Sequence, residues 1–214
     1  MEKQQSFVKG AAVLIAANLV VKVIGAVFRI PLDQLLGKSG MGLFNVAYVL
    51  YTTMLVISTA GLPVAVSKLV SESASLGRVQ ESRRIAWTAG IVFAAVGAVF
   101  SAVLYWGADP LSGMVGNPAA APAVRAIAPS VFCVALISVV RGYFQGLNDM
   151  KPTAVSQLIE ALGKLLLGYG LAHAASAKGL ALTQCAAAAV TGVTIGEIVS
   201  AVYLLLRLCT RRRR

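Results

Sequence analysis

The chain has 214 residues, of which 58% are hydrophobic and 13% charged, with a mean hydropathy of +0.80 and a formal net charge of +11. So apolar a composition excludes a soluble globule and predicts an all-α integral membrane protein. The positive charge does not point to nucleic acid: the cations sit in short clusters between apolar segments and at the C-terminus, with no basic surface interleaved with aromatics, so no nucleic-acid partner is expected.

A crossing needs about 20 apolar residues. On that measure residues 1–214 form a single membrane domain, a bundle of six transmembrane helices at about 9–30, 42–66, 85–106, 125–144, 153–173 and 180–208. Only 7% of the residues are aromatic, and the abundant Ala and Gly suit helices that associate through small residues, because lipid gives them no hydrophobic drive to pack.

The first segment has a basic start (Lys3, Lys9), but it is long, interrupted by Lys22 and followed by further apolar segments. It reads as an uncleaved first span rather than a signal peptide. Lys22 and Arg29 lie inside it, seven residues apart and therefore on nearly one face. Asn18 and Gly25 fall on the same stripe, and Asp33 extends it past Pro31, where the helix is expected to stop. Each cation would cost about 2.5–3.5 kcal/mol at the bilayer centre. Such residues face a wet cavity or an anionic partner, and the stripe reads as a solvated path for an anion.

A short loop is expected at Leu36 to Gly40, and Gly61-Leu62-Pro63 kinks or ends the second span. The polar, net basic stretch from Lys68 to Arg84 is either a short interfacial helix or a solvated connector. The third span ends in Tyr105-Trp106, an interface belt, and Ala108 to Val124 reads as an irregular external loop. A tight turn over Gly146 to Pro152 separates the fourth and fifth spans.

The fifth span carries Gln157, Glu160 and Lys164 on one face. Two readings stand open: Glu160 and Lys164 neutralise each other and lock helix packing, or they line a cavity. Glu197 in the sixth span has no local partner. It meets Lys22, Arg29 or Lys164 across the bundle, sits protonated, or is simply buried between helices. Gly192 and Gly196 are spaced to seat a neighbouring helix, and His173 reads as an interfacial anchor.

With the N-terminus inside, the cytoplasmic cations are Lys3, Lys9, Lys68, Arg78, Arg83, Arg84, Arg141, Lys151, Arg207 and Arg211 to Arg214, against Lys38, Arg125 and Lys178 outside. That imbalance predicts a multi-pass protein of the cell membrane with both termini cytoplasmic. Cys133, Cys185 and Cys209 show neither metal nor disulfide spacing and read as packing residues. No phosphate loop, catalytic set or metal cluster is visible, so neither enzymatic activity nor a cofactor is expected.

Three stretches carry a resemblance. They are Ser6 to Ala11 with Val21 to Gly25 and Phe28 to Leu32; Gly40 to Phe44 with Ser58 to Val70; and Arg141-Gly142-Tyr143-Phe144-Gln145-Gly146 with Pro152 to Glu160. In this order they resemble the stage V sporulation protein B branch of the polysaccharide transporter family, akin to lipid II flippases within the multidrug and oligosaccharidyl-lipid exporter superfamily. The resemblance implies two six-helix lobes facing each other, with alternating access to a central cationic cavity. It implies a lipid-linked oligosaccharide, an undecaprenyl-pyrophosphate sugar, as cargo for cell-wall or surface polysaccharide assembly. In related flippases basic residues of the first helix line the cavity, and Lys22 and Arg29 match that placement. A chain of this length supplies one lobe, to be completed by a second lobe or another copy. Alternatives are a cation-coupled multidrug exporter of the same superfamily and an inactive or scaffolding membrane fragment. The expected partners are thus the lipid-linked cargo, membrane lipids and a second lobe; the expected cavity residues are Asn18, Lys22, Arg29, Glu160, Lys164 and Glu197.

Overall fold

The structure, a computed structural model, describes residues 2–59 and 61–211, with side chains described for residues 10–59 and 61–210. Among the described residues every regular element is helical: α1 (Glu2–Thr59), α2 (Leu62–Ser75), α3 (Val79–Trp106), α4 (Ala108–Met114), a 3-10 turn (Pro118–Ala120), α5 (Ala121–Gly146), α6 (Lys151–Gly163), a π segment (Lys164–Gly168), α7 (Tyr169–Ala177) and α8 (Leu182–Arg211). Among the described residues four stretches are long and apolar enough to cross a membrane: Gly10–Ser75, Val79–Trp106, Pro118–Gly146 and Leu182–Thr210. Outward-facing Ile15, Val23, Ile30, Ile91 and Val99 are exposed in the bundle, a surface that suits lipid rather than water.

The first of these stretches is 66 residues and would reach about 99 Å if straight, three times the hydrocarbon thickness. It is not straight. Gly37 has φ 62° and ψ −178°, a region open essentially to Gly alone. The chain folds back there: the Phe28 and Phe44 rings are 6.1 Å apart, where an unbroken helix would separate the residues by about 24 Å. The expected stop at Pro31 is not seen, because the helix runs through it to Gly37. The expected loop at Leu36 to Gly40 reduces to that one residue. Gly61, left-handed at φ 70°, separates α1 from α2, with Pro63 in the first turn of α2.

Two other stretches, for which a connector or a loop was open, are largely helical. The Lys68 to Arg84 stretch is largely helical, split between α2 and α3 around a turn at Gly77. The stretch Ala108 to Val124, expected as an irregular loop, contains α4 and the 3-10 turn, with Arg125 of α5 paired to Asp109 of α4. Of the cations used to orient the chain, Lys3, Lys9 and Arg211 to Arg214 lie outside the described side chains.

Small residues bring the helices together. A β-carbon on Gly142 would stand 2.8 Å from the Pro63 carbonyl and one on Gly146 2.6 Å from that of Ser67, so α2 lies directly on α5. Gly192 and Gly196 of α8 meet Gly168 and Gly163 in the same way: a β-carbon on Gly163 would stand 2.5 Å from the Gly196 Cα. Glycines five apart do not share a face of an α-helix. The wider turn of the π segment between them brings Gly163 and Gly168 into line with a pair four apart on α8.

Two apolar clusters result. One gathers Phe28, Leu32, Phe44, Leu104, Ile127 and Ala186; the other gathers Leu62, Val70, Ile137, Phe144 and Leu204. Hydroxyls bind the helices between them: Ser101 donates to the Ala128 carbonyl at 2.8 Å, Thr194 to that of Ala126 at 2.7 Å, and Ser130 to Thr194 at 3.0 Å.

A polar cavity at mid-height of the bundle

α5 contributes residues 121–131 to one apolar cluster and 137–144 to the other; α8 likewise contributes 185–190 and 201–204. Between these levels, near the midpoint of both helices, lies a cavity of about 330 Å³. α1 lines it with Val21 and Gly25 before the fold at Gly37 and with Tyr48, Tyr51 and Leu55 after it. α5 adds Val134 and Arg141; α6 adds Gln157, Glu160 and Ala161; Lys164 opens the π segment; α8 adds Val193 and Glu197. Helical spacing explains the α6 set, since 157, 160, 161 and 164 recur every three or four residues.

Arg141 and Glu160 form an ion pair at 2.7 Å, with side chains 16% and 25% exposed. The Arg141 Nε also donates to Ser156 at 2.9 Å, and Ser200 of α8 donates to the same Glu160 oxygen at 3.1 Å. The carboxylate is thus held from two helices, and the expected pairing with Lys164 does not form. Lys164 turns to α1 instead, donating to the Tyr48 hydroxyl at 3.3 Å and standing 4.9 Å from the Tyr48 ring centroid and 5.8 Å from that of Phe28. Among the described ion pairs no carboxylate reaches it. Glu197 is 8% exposed and meets none of the expected cations; it accepts a 2.8 Å hydrogen bond from the Tyr51 hydroxyl.

Asn18, Lys22 and Arg29 are exposed and do not line this cavity. Gly25 belongs to both their stripe and the cavity wall, so the stripe runs along the cavity's flank. Arg29 makes a long 3.5 Å contact with Asn45, which lies one turn from Tyr48. Arg29 and Lys164 therefore meet the same face of α1 beyond its fold. The buried stripe of the first arm (Ala17, Phe28, Leu32, Leu36) is set roughly a quarter turn away from the cationic one.

Sequence reasoning missed Tyr48, Tyr51, Ser156 and Ser200, and counted Arg141, near the end of the fourth span, only among the cytoplasmic cations. Arg141 lies five residues inside the end of α5, and its position in an apolar run before Gly146 was the available signal. The hydroxyl residues carried no periodic pattern to single them out. Among the described residues there is no group of acidic, His or Cys side chains arranged for a metal.

A bundle of apolar helices around a charge-bearing cavity at half its height defines a multi-pass membrane protein. The sequence profile of the polysaccharide biosynthesis protein family matches residues 7–213, and the chain belongs to that family. It is 30% identical over 213 residues to stage V sporulation protein B of Bacillus subtilis (strain 168), covering 95% of this chain and 39% of that protein. The membrane protein YabM of the same organism is 28% identical over 92% of this chain and 36% of its own length. The lipid II flippase MurJ of that organism is 32% identical over 74% of this chain and 31% of its own length. The chain thus spans less than two fifths of these relatives. No solved structure matches it.

Proposed function

We propose that the chain forms one lobe of an exporter that carries a lipid-linked oligosaccharide, on an undecaprenyl-pyrophosphate carrier, across the membrane for polysaccharide or cell-wall assembly. In this reading it makes six passes: the two arms of α1 separate at Gly37, the second continues into α2, and α6 with the π segment and α7 makes the fifth. Both termini are cytoplasmic, and the exposed Asn18–Lys22–Arg29 stripe faces a second lobe or another copy, with the cargo passing between by alternating access. Family membership and the likeness to a protein named as a lipid II flippase support the reading.

The observation that carries it is Lys164. This half-buried cation at the middle of the bundle has no carboxylate within ion-pair reach among the described residues and leans only on aromatic rings and a hydroxyl. A cation without an ion-pair partner in a low-dielectric setting is a receptor for an anion. Arg29, against the neighbouring turn of the same arm, offers the fork that grips phosphate oxygens in two places. Transporter sites commonly lie near the bilayer midplane at the boundary between repeats.

The test is binding of undecaprenyl pyrophosphate to the chain in lipid nanodiscs, read by native mass spectrometry. Lys164→Met and Arg29→Ala are each expected to weaken binding tenfold or more. In cells that depend on the exporter, Arg29→Ala is expected to abolish transport at unchanged membrane abundance. Binding unaffected by both substitutions would sink the reading.

A further inference from the structure

α2 and α3 leave the turn at Gly77 side by side, yet small residues draw each of them onto α5. Gly142 and Gly146 of α5 take the backbone of α2, and a β-carbon on Gly97 of α3 would stand 2.8 Å from that of Ala135 and 3.2 Å from the Phe132 Cα. Between the two helices a groove of about 870 Å³ stays open. Its walls are apolar: Leu62, Val66 and Leu69 of α2 face Ile85, Val92 and Phe93 of α3. Ala65 and Thr88, one on each wall, are exposed, so the groove opens on the outside of the bundle. Neither α2 nor α3 lines the polar cavity, and the two features are separate.

The mouth of the groove is charged, with Glu81 and Arg84. Arg78 answers Glu81 at 3.5 Å, whereas the exposed Arg84 has no carboxylate within ion-pair reach among the described residues. The three residues together leave one positive charge. Trp87 and Trp106, both exposed, stand about 28 Å apart along α3, a separation that matches the hydrocarbon thickness of a bilayer. In that frame Arg84 lies one turn beyond Trp87, among the headgroups. The groove descends about 9 Å from the Trp87 level to Phe93 and stops short of the midplane.

We propose that this groove binds one monoanionic phospholipid of the adjoining leaflet, with an acyl chain between α2 and α3 and the phosphodiester on the Arg84 guanidinium. The walls offer a chain nothing to hydrogen-bond with, and the arginine fork matches two phosphate oxygens. One unanswered positive charge selects a headgroup with one net negative charge over a zwitterionic one. A groove confined to one leaflet suits an ordinary acyl chain better than a long polyprenyl tail. The site does not rest on the export reading, whose own test uses Lys164 and Arg29.

The experiment is native mass spectrometry of the full chain released from phosphatidylcholine nanodiscs that contain a minority of phosphatidylglycerol. The parent is expected to retain one phosphatidylglycerol in preference to phosphatidylcholine. Arg84→Gln is expected to weaken that retention tenfold or more. Ala65→Phe fills the apolar slot and is expected to do the same; should it misfold, Thr88→Trp fills the slot from the facing wall. Arg207→Gln removes an exposed cation at the same end of the bundle but outside the groove, and is expected to change nothing. The proposal is overturned if the parent shows no preference, or if Arg84→Gln or the slot-filling variant retains the lipid as the parent does. Equal losses in Arg207→Gln and Arg84→Gln overturn it too, since surface charge alone would then suffice. Complete displacement of the phospholipid by equimolar undecaprenyl phosphate would make a polyprenyl chain the occupant, and a dimer that Ala65→Phe dissolves would make it a second copy; either result overturns the assignment.

Discussion

Arg141 of α5 reaches 2.7 Å across to Glu160 of α6, and Ser200 of α8 reaches the same oxygen, so one carboxylate ties three helices together in the middle of an apolar bundle. Removing the cation strands a half-buried carboxylate. Arg141→Ala is expected to cost about 2–4 kcal/mol, somewhat below the range for fully buried pairs because both side chains retain some exposure. The double variant Arg141→Met with Glu160→Met is expected to recover most of that loss. Unfolding of the parent, Arg141→Met, Glu160→Met and the double variant in detergent gives the coupling; a double variant no more stable than Arg141→Met would contradict it.

Gly37 lets α1 turn back on itself. Its backbone conformation admits essentially no other residue, so Gly37→Ala is expected to destabilise the fold by about 1–3 kcal/mol. Its test is a pair of spin labels at positions 30 and 45. Their distance should lengthen or broaden in the variant and stay short in the parent; an unaltered distribution with unaltered stability counts against the account.

The seam between α8 and the π segment has no room for a side chain. Gly192→Val would drive a β-carbon into the backbone of Gly168 and is expected to cost more than about 3 kcal/mol. Gly170, whose β-carbon would meet nothing within 4 Å, is the matched control, and Gly170→Ala should be neutral or mildly stabilising. Yield of monodisperse protein from membranes reads both.

If the cationic stripe borders water, single cysteines at Asn18, Lys22 and Arg29 in a cysteine-free background should react with a membrane-impermeant thiol reagent. Cysteines at Val20, Val23 and Val27 should be protected. The native Cys133, Cys185 and Cys209 are free and must be replaced first. Equal labelling of both sets would show that the stripe has no wet face of its own.

The membrane class, the helical architecture and the family were legible in the order of residues. Each rests on local properties: apolar runs of spanning length, glycine and proline at the breaks, and motifs contiguous in the chain. The grouping of Gln157, Glu160 and Lys164 on one face was legible for the same reason, because helical periodicity alone places them together. Which charges pair was not. Glu160 chose Arg141 on α5 over Lys164 one turn away, and Glu197 chose Tyr51, a residue 146 positions distant. The π segment that aligns two glycine pairs, and the quarter turn that leaves Lys22 and Arg29 beside the cavity rather than in it, also depend on how neighbouring helices press together. Partners across helices are decided by close backbone approach and by the cost of leaving a polar atom unanswered, and both exist only once the bundle has closed.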